Sequence, residues 1–349
     1  MLIAEAPLRE FVRDIFVAAG SARAEADEIA EHLVEANLRG HDSHGVGMVP
    51  AYIKHLSEKA VAPNRKPKCV LDLGALMAFD AAMGYGQPAA NAVMDLAGDR
   101  AAQLGAAIVS LRNVQHVGRI GAYGERLARR GLLSIHFVNA VSAQACVAPF
   151  RGSDARLMTN PICVTIPRGT DAPPIVLDFA TSAIALGKVR VALNKGVETP
   201  QNTLIDHTGQ PTRAPSAIFS DPRGAIVPLG LHKGWGLALV AEILGGALAG
   251  GGTQAGERRP GLVSGMFSIV VDQSRLARGA AYYDEVTALV DYVKASPAAN
   301  PDAPVLVPGD PELMTMAERR ANGVPIDDVT WKEILGAAKA VGLAAPAPA

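Results

Sequence analysis

The hydrophobic period of this chain changes twice, and those changes decide what it can fold into. Leu8, Phe11, Val12, Ile15, Phe16 and Ala19 recur at helical spacing among Arg9, Glu10, Arg13 and Asp14, which predicts an amphipathic helix over 7–19. A second helix is predicted over 23–39, with Ala26, Ile29, Ala30 and Leu33 on one face, and a third near 49–59. Strand-like runs then take over. Segments 69–73, 107–111, 132–139, 162–166, 175–178 and 267–271 alternate with helical stretches at 87–104, 118–130 and 232–249. Long Pro/Gly-rich loops at 168–174, 206–215 and 250–261 are too irregular for a repeat architecture. Beyond about Ala280 the chain returns to helix, ending over 325–341, and its Ala/Pro tail is expected to be disordered. The fold class is therefore α/β. The Pro-rich stretch 61–67 marks the first boundary, so an α/β domain is expected over 67–279, with helical segments over 1–66 and 280–349.

Composition narrows the function. A chain of 349 residues with 49% hydrophobic content is long enough to bury about three quarters of its unfolded surface. It needs no covalent staple. Cys69, Cys146 and Cys163 are odd in number, widely spaced and without a CxxC, so neither a disulfide framework nor a zinc knuckle is implied, and a cytoplasmic setting fits. A formal charge of -1 and the absence of a basic run argue against nucleic acid as a partner. The N-terminal helix lacks the apolar core of a signal peptide. Segment 234–252 has the length of a membrane span, but Glu242 lies at its middle among many glycines, so a buried core helix is expected instead.

Chemistry concentrates in segment 38–50, Leu-Arg-Gly-His-Asp-Ser-His-Gly-Val-Gly-Met-Val-Pro, which holds His41 and His44 on a loop between two helices. Gly40 suits the left-handed end of the first helix and Pro50 the first turn of the next, so both imidazoles are held. A fixed histidine gives or takes a proton near neutrality, although histidines at helix ends also serve only as caps. Three other motifs carry less. Gly84-Tyr-Gly-Gln-Pro-Ala89 matches a GxGxxA pattern, but Pro88 lies within it and no acidic residue closes a second strand, so it reads as a turn opening a helix. Segment 182–188 imitates a phosphate loop without its first Gly or its final Ser/Thr. His41 and His44 lack a third metal ligand at a recognisable spacing.

The run Arg39 to Val46, followed by Pro50 and Tyr52, resembles the signature of the type 2 malate/L-lactate dehydrogenase family, NAD(P)-dependent oxidoreductases unrelated to the Rossmann type. The likeness continues in order through Asn113-Val-Gln-His116-Val-Gly118, Thr159-Asn160-Pro161, Leu177 to Ser182, Gly187-Lys188, His232-Lys233-Gly234, Gly236 to Leu239 and Val307-Pro308-Gly309. It covers nearly the whole chain. In Gly40-His41-Asp42 and Gly118-Arg119-Ile120-Gly121 the chain is most similar to the bacterial hydroxycarboxylate dehydrogenases.

The resemblance implies a central α/β domain with a mixed sheet, one helical domain made from both chain ends, a homodimer, and NAD or NADP as cofactor. It also implies a small 2-oxo or 2-hydroxy acid as substrate, with His116 and His44 at the site. Either histidine can carry the proton. We assign it to His116 in the oxidation direction, with His44 as its partner and Ser43 beside the substrate. Many members have an arginine where this chain has Met48, which leaves Arg119 as the candidate fork for the substrate carboxylate. Cofactor contacts are expected from Asp178, Phe179, Ala180, Ser182, His232, Lys233, Gly234, Gly309 and Asp310, with Lys233 adding charge at a helix N-terminus. No metal is expected. Met316-Ala317 stands where many members have two arginines. Three rivals remain: a cyclic ketimine reductase of the same family, a metal-dependent hydrolase or lyase using His41 and His44, and a non-catalytic relative. No residue that would read the ribose of NAD or NADP is identifiable.

Overall fold

The computed structural model describes residues 1–169, 172–256, 261–276 and 279–345. Strand β1 (Leu2–Ile3) precedes helices α1 (Glu5–Ala18), α2 (Arg23–Leu38) and α3 (Val49–Ser57). The middle of the chain runs β2 (Lys68–Leu73), β3 (Leu76–Asp80), α4 (Gly86–Leu104), β4 (Ala106–Gln115), α5 (Gly121–Ala128), β5 (Leu133–Ser142), β6 (Ile162–Ile166) and β7 (Ile175–Phe179). After α6 (Leu186–Lys195) come the short strands β8 (Leu204–Ile205), β9 (Pro211–Thr212) and β10 (Ala225–Ile226). Helix α7 (His232–Glu242) runs on into a π-helical segment, Ile243–Leu248, and leads to β11 (Leu262–Val271). The chain closes with α8 (Gly279–Lys294), α9 (Asp310–Asn322), β12 (Val324–Pro325) and α10 (Asp328–Ala340).

The main sheet is seven-stranded and mixed, in the order β2-β3-β4-β11-β5-β6-β7. Only its β3/β4 pair is parallel. Along β4 the burial alternates, with Ala107, Val109 and Leu111 inward, as the two-residue period of a strand requires. These side chains pack with Met77 and Phe79 of β3 and Met266 and Val270 of β11, under Val93, Met94 and Ala97 of α4 and Tyr123 and Leu127 of α5. A second apolar core joins the two ends of the chain. Leu8, Val12, Ile15 and Phe16 of α1, with Ile29 and Leu33 of α2, pack with Val324, Ile326 and Ile334. The Phe11 and Trp331 rings meet at 5.6 Å, and β1 pairs antiparallel with β12.

Three sequence expectations change. Strand β3 follows β2 after only Gly74 and Ala75, so it does not stand apart as a separate run in the sequence. Helix α5 begins at Gly121 rather than 118, so Arg119 lies in the preceding turn. The expected buried core helix over 234–252 is buried on one side only. Gly234, Ala238, Ala241 and Glu242 face inward, while Leu239, Val240, Ile243 and Leu248 are exposed, Leu248 by 61%. Small residues explain this asymmetry. A Cβ on Gly245 would lie 2.7 Å from the Asn139 nitrogen of β5, so the segment seats its backbone, not its apolar side chains, on the sheet. No helix among the described residues is long and apolar enough to cross a membrane. Residues 170–171 and 257–260 of the expected loops, and 346–349 of the expected tail, lie outside the described residues.

Candidate active site

The histidine loop is built by its neighbours. Helix α2 ends at Leu38, Gly40 takes φ +81°, and two 3-10 turns, Asp42–His44 and Val46–Met48, lead to α3 with Pro50 in its first turn. The Asn37 side chain ties the loop back to α2: its Oδ1 accepts the Val46 N–H at 2.7 Å and its Nδ2 donates to Asp42 at 2.6 Å. Helix α9 grips the other side. Arg319 donates to both Asp42 oxygens, at 2.6 and 3.1 Å, and to the Asn37 carbonyl, while His41 Nε2 faces Glu312 at 3.3 Å.

His116 follows β4 in the turn before α5, and its ring stacks on that of His44 with centroids 5.4 Å apart and planes 20° from parallel. Ser43 Oγ lies 3.0 Å from His44 Nδ1. Tyr52 Oη lies 2.8 Å from His116 Nδ1, and Gln87 Nε2 donates to Tyr52 Oη at 2.8 Å and to the His116 carbonyl at 3.3 Å. Burial, then the charges of His41 and Arg119, hold His44 down at about 4. Burial first, then His44, His32 and His55, pushes His116 well below the usual histidine value. Burial thus favours the neutral form of both imidazoles. Burial raises the Tyr52 phenol, so its hydroxyl keeps its proton.

Arg119 is not a free fork. Its side chain is 1% exposed, and both terminal nitrogens are taken by Glu125, at 3.2 and 2.6 Å. Its backbone N–H donates to His32 Nε2 at 2.9 Å. A guanidinium buried and bidentately paired in this way offers no fork to a substrate, so the expectation of Arg119 as carboxylate anchor does not hold. Met48 is half-buried and packs against the helical core, as does Met316.

The segments expected to meet the cofactor converge on β7. Val176 N–H donates to the Pro308 carbonyl at 3.1 Å, which brings Gly309 and Asp310 to this strand. Leu229 N–H donates to the Thr181 carbonyl at 2.9 Å and Ser182 bridges to Pro228, which brings the start of α7 beside the segment after β7. Asp178 accepts the Gly121 N–H at 2.8 Å; burial raises its pKa, opposed by His41 and Arg119. Phe179 and Ala180 are half-buried. Lys233 is exposed, with no carboxylate among the described residues at ion-pair distance, and the His232 ring lies 5.8 Å from that of Phe150. Two further hydrogen-bonding groups are engaged, like Asp178: Ser182 Oγ donates to the Ile184 carbonyl at 2.9 Å, and Asp310 meets Lys294 at 2.7 Å and the Val307 N–H at 3.0 Å. Among the described residues no three His, Cys, Asp or Glu side chains gather as a metal would require.

The model of one protein family, malate/L-lactate dehydrogenase, matches residues 3–335. This chain belongs to that family. It is 41% identical over 339 residues to hydroxycarboxylate dehydrogenase B of Escherichia coli O157:H7, covering 96% of this chain and 93% of that protein. It is 38% identical over 348 residues to an L-lactate dehydrogenase of Cupriavidus necator, covering 99% of each. The solved delta1-piperideine-2-carboxylate reductase of Pseudomonas syringae pvar. tomato superposes with a TM-score of 0.84 at 30% identity, over 97% of this chain and 99% of that one. The chain is an oxidoreductase of the hydroxy acid dehydrogenase kind.

Of the residues expected at the site, the fold brings His44, Ser43 and His116 together, with Tyr52 behind them. Gln87, Glu312 and Arg319 were not legible. Gln87 sits inside the GxGxxA look-alike, whose true role is to open α4 against the His116 strand. Glu312 and Arg319 lie some 270 residues from the loop they hold, and no short motif signals such a pair.

Proposed function

We propose that this chain interconverts 2-oxo acids and 2-hydroxycarboxylates with NAD or NADP, and that His116 carries the proton. The stacked His44 and His116 rings, with His116 Nδ1 against Tyr52 Oη, carry this reading. A nicotinamide cofactor fits the residues around β7, where exposed Lys233 at the start of α7 suits a pyrophosphate and Asp178 and Gly309 lie close by. When bound, it supplies or accepts the hydride at substrate C2.

The rest falls to the protein. With Nδ1–H donating to Tyr52 Oη, His116 keeps an unprotonated Nε2 for the hydroxyl of a 2-hydroxy acid. Taking that proton makes an imidazolium whose Nδ1–H still donates to Tyr52 Oη, with the Tyr52 hydroxyl proton directed at the His116 carbonyl 3.4 Å away. His44 polarises the substrate oxygen through its free nitrogen. Two stacked imidazoles cannot both be charged cheaply, so one proton moves at a time. With Arg119 engaged and Met48 apolar, the substrate carboxylate is assigned to backbone amides rather than to Ser43, whose hydroxyl proton goes to His44 Nδ1 when His44 presents Nε2–H to the substrate. We also propose a homodimer, supported by the exposed face of Leu239, Val240, Ile243 and Leu248. A monomer by sedimentation at micromolar concentration would refute it.

The test is fluorescence titration with NADH and NADPH, followed by turnover of a panel of 2-oxo acids. One cofactor should bind, at least one 2-oxo acid should be reduced, and Lys233→Ala should weaken cofactor binding about tenfold with a smaller effect on kcat at saturation. Parental binding in a folded Lys233→Ala variant would remove α7 from the cofactor site. The likeness to the piperideine-carboxylate reductase favours a second reading, reduction of a cyclic imine by the same hydride geometry. Cyclic imines in the same panel decide between the two.

A further inference from the structure

We propose that Glu125 is the positioning residue that fixes the His44 and His116 rings against each other; this rests on the assignment of those two histidines to the chemistry. Glu125 lies in α5 and is almost fully buried. It touches neither histidine. One oxygen accepts from Arg119 at 2.6 Å, and the other lies 3.2 Å from Arg119 and 3.1 Å from Arg39. Arg39 caps the C-terminus of α2 just before the Gly40 turn that launches the His44 loop, and Arg119 follows His116 by three residues. A single carboxylate thus bolts together the two backbone segments that carry the pair. Both segments are braced again, since Arg39 also pairs with Glu35 of α2 at 3.0 Å and the Arg119 N–H donates to His32 of α2.

A buried ion pair is weak evidence for stability, because an apolar pair of similar volume often serves as well. What apolar side chains cannot supply is direction. A guanidinium locked bidentately to a carboxylate fixes plane and distance together, and reacting groups misplaced by about 1 Å lose on the order of a hundredfold in rate. Without the Glu125 charge, the Arg39 and Arg119 guanidiniums are left facing one another, with Glu35 and Asp178 as the carboxylates that still act on Arg119, and the direct tie between the two segments is lost.

The experiment compares Glu125→Gln, and the double variant Arg119→Met with Glu125→Leu, against the parent. Carbon-13 labelled histidine rings are followed by NMR, with signals assigned through His44→Asn and His116→Asn. The His44 and His116 ring signals should move in both variants. That of His136, held in the sheet between Ser134 and Ser268 at 2.9 and 2.8 Å, should not. In folded variants kcat should fall about tenfold or more while the KM for the cofactor stays within twofold, and the double variant should show this even where its melting temperature matches the parent's. Should the double variant not fold, Glu125→Gln gives the same reading, because it keeps the side-chain shape. Parental ring signals and parental kcat in folded Glu125→Gln would overturn the proposal. A parent that turns over no 2-oxo acid or imine defeats the functional reading, and the ring signals then decide the positioning claim alone.

Discussion

His116→Asn is expected to lower kcat for 2-hydroxy acid oxidation by about 10²–10⁴-fold, the range usual for losing a general base, with cofactor binding unchanged. The variant keeps a nitrogen near Tyr52 but removes the second ring nitrogen that would meet the substrate. His44→Asn should cost less, about tenfold, because it removes polarisation rather than the proton carrier. The pH profile adds a separate check. Burial and the neighbouring imidazoles depress the His116 pKa, so its base form persists below the ordinary value near 6.5. Oxidation by the parent should therefore stay flat as pH falls through 6.5 and break only at lower pH, and His116→Asn should abolish the break. The reverse pattern would hand the proton to His44, and full activity in both variants would remove the mechanism.

The largest structural effect is expected from Gly86→Ala. Gly86 is the first residue of α4, and an added Cβ would fall on the carbonyl oxygens of Gln115, at 2.5 Å, and of His116. Both are backbone atoms, so no side chain can turn aside. The helix or the end of β4 must shift, at a cost of about 3 kcal/mol or more, and the shift carries His116 away from His44 and Gln87 away from Tyr52. Gly336→Ala on α10 is the matched control, because its Cβ would meet nothing within 4 Å. It should be neutral, or stabilising by up to about 1 kcal/mol as helix propensity favours alanine. Melting curves and kcat for the two variants test this. A Gly86→Ala protein as stable and active as the parent would mean that this contact between α4 and His116 tolerates a methyl group.

The motif around Gly86 shows how far sequence reading reaches. As a sequence, Gly84 to Ala89 could be recognised as a turn opening a helix, because Pro88 and the missing acidic partner ruled out a dinucleotide loop. Its reason for being glycine could not be read, since that reason is a carbonyl 30 residues away that arrives only when β4 lies beside α4. Arg119 shows the same limit from the other side. A guanidinium three residues past a candidate catalytic histidine is as good a carboxylate fork as a buried strut. Only the position of Glu125 decides between them.

What the sequence determined by itself is the local layer: helical ends around an α/β middle, Gly40 and Pro50 framing the histidine loop, and the collinear motifs that place the chain in its family. Periodicity, turn chemistry and motif order act over a few residues, so they survive without coordinates. The tertiary structure alone decided that β11 enters the centre of the sheet, that α7 leaves an apolar face exposed, that α9 clamps the histidine loop through Glu312 and Arg319, and that Arg119 is engaged by Glu125. Each of these is a pairing between groups distant in the chain, set by which faces must be buried and which charges must be neutralised once they are.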